Sequence, residues 1–180
     1  MLMGASNQGP MDLANMFKEG LSRGSVKLVG ATTVDEYERY ILRDKAFVRR
    51  FERIDIAEPT QEMCVQILMK TLPKIEKQTG VLMTYGNFYR EQIMRFIVEM
   101  TVEYNRVFES ASRYPDVCFA IVTKAFSYAI FDNKKVIEIK HFYEAISSTD
   151  TVYPDVLKKF KPIFKERFAE LIEKENAILD

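Results

Sequence analysis

Pro59 divides the sequence into two textures, and that division limits the folds open to it. Before it, two short apolar runs, "VKLVG" from Val26 and "RIDIAEP" from Arg53, read as buried strands. Between them "VDEYERYILRD" reads as a short aromatic helix. Further upstream, Asp12 is a candidate N-cap for a helix closing at Gly24, with Leu13, Met16, Phe17 and Leu21 on one face. Two strands and two helices cannot complete a doubly wound sheet. The first part therefore reads as the last piece of an α/β domain, cut from a longer protein.

After Pro59 apolar residues recur at helical spacing. Thr60 is an N-cap, followed by Met63, Val65, Ile67, Leu68 and Leu72, with a stop near Gly80. Pro73 is expected to kink or split this helix. Ile93, Phe96, Ile97 and Met100 mark a second helix, and Pro115 with Asp116 opens a third. Val136 to Ile139 reads as a short strand feeding a further helix. A last amphipathic segment carries Phe160, Ile163, Phe164, Phe168, Leu171 and Ile172 on one side, interrupted by Pro162. The expected class is mainly α with a small β component: a partial α/β subdomain followed by a helical one. The expected divisions are 1–58, 59–150 and a terminal helix or linker over 151–180.

Composition removes several function classes. The 180 residues hold 26 Lys and Arg against 26 Asp and Glu, so no broad cationic field favours nucleic acid or anionic lipid. No run of about 18 apolar residues suggests a membrane span, and the first residues lack the pattern of a signal peptide. Cys64 and Cys118 fall in apolar helical contexts and read as buried reduced thiols. The single histidine, His141, cannot build a histidine-based metal site and reads as a surface residue near a helix start. No metal site is expected.

Arg49 and Arg50 stand side by side just before the second strand-like run. Two adjacent cations repel, and neither fits easily in a core. From the residues alone they read as an exposed pair at a helix C-terminus, where the helix dipole favours cations.

The surrounding residues carry a resemblance. "GATTVDEYERYILRDKAFVRRFERIDIAEPTQE" closely resembles the first ATPase module of the Clp-type AAA+ unfoldases, the ClpA, ClpB and ClpC class. "GPMDLANMFKEGLSRGSVKLVG" resembles the stretch before it, and "SRYPDVCFAIVTKAF" weakly resembles a later one. Such proteins hydrolyse ATP between the subunits of a ring. The resemblance implies that Arg49 and Arg50 are the arginine-finger pair, directed at a γ-phosphate bound by the neighbouring subunit. A guanidinium fork suits the charge that spreads over the phosphoryl oxygens. Thr33 matches the sensor-1 position, with Thr32 as the adjacent fallback; from the residues alone it equally satisfies turn backbone after a strand. The family's helical subdomain folds over the nucleotide. By position Ile67 and Thr71 would then face the base, and Pro115 and Asp116 would lie near ribose or phosphates. Core and capping roles explain these four as well.

The sequence also departs from the family. After Pro115 and Asp116 come Val117 and Cys118, where the family has Lys and Ala. No G-x-x-x-x-G-K-[ST] loop occurs anywhere, nor an apolar strand ending in Asp-Glu for Mg²⁺. The resemblance implies ATP and Mg²⁺ as cofactors of the full-length parent, with none expected on this piece. It implies neighbouring subunits of a hexameric ring and unfolded or aggregated proteins as partners, with a partner protease in the protease-associated branch, and a soluble protein of cytoplasm or organelle. Between "AIF" at Phe131 and "KKVIEI" there is no heptad tract, which favours the plan without the long coiled-coil arm of the ClpB type. The expected function is a fragment of an ATP-driven unfoldase or disaggregase. The alternative is a non-catalytic helical interaction module on a degenerate scaffold of the same kind.

Overall fold

A computed structural model of the chain describes residues 27–108, 114–149, 152 and 154–179. The chain divides into two units, Met1–Ile56 and Ala57–Asp180. The expected helix between Asp12 and Gly24 lies outside the described residues.

In the first unit, α1 (Val34–Glu36) runs into a π-helical turn (Tyr37–Ile41), and α2 (Lys45–Val48) follows. The two expected strands do not form among the described residues: 27–33 and 51–60 carry no regular structure. A strand is held by the amides and carbonyls of a neighbour, and no described residue supplies one here. The apolar side chains that suggested the strands stand in the open instead, Val29 at 97% and Ile56 at 91% exposure.

The second unit is helical: α3 (Gln61–Thr79), α4 (Asn87–Phe108), α5 (Asp116–Phe131), α6 (Ile139–Ser147), α7 (Pro154–Arg167) and α8 (Ala169–Glu175). Thr60 caps α3 by accepting the Met63 N–H at 3.2 Å. The helix closes at Gly80, whose left-handed φ of 69° suits a residue without a Cβ. Pro73 neither kinks nor splits it into two; α3 runs through. Its ring is exposed, and the helix is fixed by Cys64, Val65, Leu68, Leu72 and Ile75 in the core. Pro162 likewise lies inside α7, and the break comes at Phe168 instead. A proline removes one helical hydrogen bond, and packing of the opposite face outweighs that loss.

The expected strand at Val136–Ile139 is reduced to a single parallel bridge between Leu82 and Val136. Its bonds run from Leu82 N–H to Lys135 O and from Ile137 N–H to Leu82 O, each 2.9 Å. Helix α6 begins directly at Ile139, which leaves no room for a longer ladder. The core joins all these helices. Phe96 from α4 meets Phe160, Phe164 and Phe168 edge-on, with ring centroids at 5.7, 5.2 and 5.8 Å. Those contacts fasten α7 to the bundle. Cys64 and Cys118 are free and buried.

Candidate functional site

Thr33 sits where extended backbone turns into α1. Its Oγ1 accepts the Glu36 N–H at 3.2 Å, and the Glu36 carboxylate accepts the Thr33 N–H at 3.5 Å and the Thr32 hydroxyl at 2.7 Å. This reciprocal cap fixes the turn. The Thr32 bond, then the Thr33 amide, holds the Glu36 carboxyl below its usual range. Thr33 thus has the capping role that the residues alone allow. A hydroxyl that accepts one bond still has a proton to donate.

Arg49 and Arg50 lie in the turn after α2 and are both exposed. The Arg49 N–H donates to Lys45 O at 3.4 Å, and the Phe51 N–H donates to Val48 O at 3.0 Å. Arg53, three residues on, is used differently. Its Nε and guanidinium reach Asp55 Oδ1 at 2.7 and 2.6 Å, and its head lies 4.9 Å from the centre of the Tyr37 ring. Arg53 thus braces its own unit.

In the second unit Ile67 and Thr71 are half-buried on α3, one turn apart. The Thr71 hydroxyl donates to Ile67 O at 2.8 Å, so its proton serves the helix. Pro115 and Asp116 stand at the start of α5; Pro115 O accepts the Cys118 and Phe119 N–H groups, each at 3.1 Å. Asp116 is exposed in the first turn, where the helix dipole favours a carboxylate. Cys118 points into the core, 3.3 Å from Thr101 Oγ1. Burial pushes its thiol up to about 11, so it is a core residue rather than a nucleophile. Helices α3 and α5 belong to the same packed unit, whereas Thr33, Arg49 and Arg50 belong to the other.

These residues do not by themselves fit Mg²⁺·ATP. Phosphates need a cradle of loop amides and a lysine. The second-unit set offers the Ile67 side chain, a hydroxyl already bonded and the Asp116 carboxylate. Among the described residues no cluster of His, Cys, Asp and Glu could hold a metal ion. No helix among them is long and apolar enough to cross a membrane.

Sequence reasoning placed His141 at the surface. It is buried, with no exposed side-chain area. It also missed Glu175, whose partners Tyr85 and Ile139 lie 90 and 36 residues away. No local pattern encodes contacts of that span.

No family model matches the sequence. The chaperone protein ClpB of Aquifex aeolicus is 35% identical over 109 residues, 61% of this chain and 10% of that protein. ClpB of Mycobacterium leprae is 47% identical over 81 residues, 45% of this chain and 10% of that protein. Heat shock protein 100 of Trypanosoma brucei brucei is 40% identical over 85 residues, 47% of this chain and 10% of that protein. The chain thus spans about a tenth of the length of the curated relatives it matches.

Solved structures agree. Hsp104 in a closed state with ATPyS and FITC casein aligns over 94% of this chain and 28% of that chain, at 26% identity and a TM-score of 0.60. The S. cerevisiae Hsp104:casein complex in its extended conformation aligns over 72% of this chain and 21% of that chain, at 31% identity and a TM-score of 0.55. In this chain α5 passes to α6 through Asp132–Glu138 alone, with no coiled-coil arm between them.

Proposed function

We propose that this chain, a relative of the Clp-type AAA+ disaggregases that corresponds to one part of them, supplies the trans-acting half of an ATPase site in a ring-shaped protein unfoldase. Arg49 and Arg50 reach the γ-phosphate held by the next subunit. Thr33 acts as sensor 1 beside the phosphate of its own subunit. Ile67, Thr71, Pro115 and Asp116 line the nucleotide from the helical unit. The ring is a hexamer, and its clients are unfolded or aggregated polypeptides. ATP is the substrate, bound with Mg²⁺ by a P-loop that these 180 residues do not contain.

The observation that carries the reading is the exposure of two adjacent arginines just after α2. Arg49 and Arg50 both stand exposed in the turn after α2. Exposed guanidinium groups serve a partner's phosphate at no cost to their own core. The test is to replace both arginines in the assembled ring. With Arg49→Ala and Arg50→Ala, ATP affinity stays within about threefold, because each P-loop still holds its nucleotide. Turnover falls by on the order of 10³-fold, because the transition-state charge loses its external cation. Lysine at both positions rescues poorly, since an ammonium lacks the planar fork. Unchanged turnover contradicts the proposal.

A further inference from the structure

Glu175 ends α8 and ties three segments together. Its Oε1 accepts the Tyr85 hydroxyl at 2.6 Å, and its Oε2 accepts the backbone N–H of Ile139 at 2.7 Å. Ile139 is the first residue of α6, so the Glu175 carboxylate caps a helix that starts 36 residues earlier. A second tie runs beside it: Glu170 accepts the Tyr89 hydroxyl. Burial, then the Glu175 bond, raises the pKa of Tyr85 and keeps its hydroxyl a donor.

These ties matter because they hold the C-terminal end of α8, whose apolar contacts lie at its start and beyond it. The helix is 7 residues long, buries Leu171 and packs Ile172 partly against the core, as Ala177 and Leu179 do just beyond it. A helix of that length does not persist alone in water. By contrast α7 buries Val156, Phe160 and Phe164. Leu171, Ile172 and the preceding Phe168 give α8 its apolar footing, and Glu175 adds polar bonds at its C-terminal end. Segments with few buried apolar contacts open first.

The Tyr85 end is itself anchored. Tyr85 O accepts Arg90 Nε at 2.9 Å, and the Met83 N–H donates to Glu76 Oε1 at 2.8 Å. Leu82 in the same loop forms the bridge to Val136, shortly before Ile139. One carboxylate therefore joins the Val81–Gly86 loop, the start of α6 and α8.

We propose that α8 is a releasable latch governed by Glu175. Docked, it closes the N-terminus of α6 and holds the Val81–Gly86 loop through Tyr85. Released, it frees both and leaves the bundle of α3 to α7 folded. An event that competes for the Tyr85 hydroxyl or the Ile139 N–H undocks α8, and displacement of α8 loosens that corner in return, because coupling between two sites is reciprocal. The latch is a property of the helical unit and does not depend on the role of the arginines.

Hydrogen exchange on the 180-residue chain tests it. Glu175→Ala speeds exchange of the α8 amides and of the Ile139 amide by about tenfold or more, the scale of one lost charged hydrogen bond. Core amides at Leu68, Ile97 and Val122 keep their rates. Glu173→Ala, a carboxylate removed from the exposed side of the same helix, changes none of them. If the alanine variant does not fold, Tyr85→Phe decides: it removes one oxygen and speeds α8 while the Ile139 bond stays. Two results overturn the latch: unchanged exchange in α8 and Ile139, or acceleration of α8 and the core in step.

Discussion

The ring nitrogen Nδ1 of His141 accepts the backbone N–H of Glu138 at 2.9 Å. That bond assigns the ring proton to Nε2, which lies 3.3 Å from Asp132 Oδ2 and donates to it. A side chain that the sequence suggests is a surface residue is thus an internal strut between the α5–α6 connection and the first turn of α6. His141→Leu keeps the volume and leaves the Glu138 N–H without its acceptor. Stability to urea should fall by about 1–3 kcal/mol, the cost of an unsatisfied buried donor. An unchanged midpoint shows that water or another acceptor serves Glu138 equally well.

Asp132 gives the same corner a pH signature. The Lys140 ammonium, bonded at 2.5 Å, holds its carboxyl below the usual range, with His141 second. A carboxyl lowered in the folded state contributes stability above its unfolded pKa and loses it as pH falls through the folded value. Lys140 is raised by the same bond, so its contribution is lost as pH rises through its folded value. The stability difference between the native chain and Asp132→Asn should be largest near neutrality and close toward both extremes. Denaturation across pH checks this; a difference that stays constant from acid to alkali contradicts the ion-pair account.

The aromatic cluster predicts a larger effect. Phe96 is fully buried and touches three other phenylalanine rings. Phe96→Ala should cost about 3–5 kcal/mol through lost transfer energy and the cavity left behind. It should also loosen α7 first, since the three lost ring partners lie on or just after that helix. Chemical denaturation gives the cost and hydrogen exchange gives the order. A loss well under 1 kcal/mol would mean that the neighbouring rings repack to fill the space.

The helices were legible because their signals are local. Thr60, Gly80 and the spacing of Leu68, Leu72, Ile93 and Ile97 each act within a few residues. The prolines misled because a single lost hydrogen bond is a local fact, while the packing that carries Pro73 and Pro162 inside their helices is not. The strands misled in the opposite direction. Val29, Ile54 and Ile56 carry a strand's residue types, but a strand also requires a neighbour, which the pattern of one segment cannot supply. At the candidate site, the arginine pair stands out in the sequence through its flanking residues, and the structure adds that both are exposed. The capping bonds of Thr33 were visible only as one of two readings, because one hydroxyl serves either role.

The 180 residues contain no P-loop motif, and that has a direct consequence for the chain by itself. Titration of Mg²⁺·ATP into it should give no binding tighter than about millimolar, equivalent to about −4 kcal/mol. Sub-micromolar binding would mean that the helical unit holds nucleotide by itself, which neither the bonded Thr71 hydroxyl nor the Asp116 carboxylate explains.

The most direct measurement of the central claim is ATP hydrolysis by mixed rings. Subunits carrying Arg49→Ala with Arg50→Ala are inactive alone, as are subunits whose P-loop is destroyed. In a mixed ring, an intact P-loop on an arginine-deficient subunit lies beside a neighbour that still presents Arg49 and Arg50. Hydrolysis should return at those interfaces, since the cation needed in the transition state arrives from outside the subunit that binds the nucleotide. If mixed rings form and no hydrolysis returns, Arg49 and Arg50 do not act between subunits.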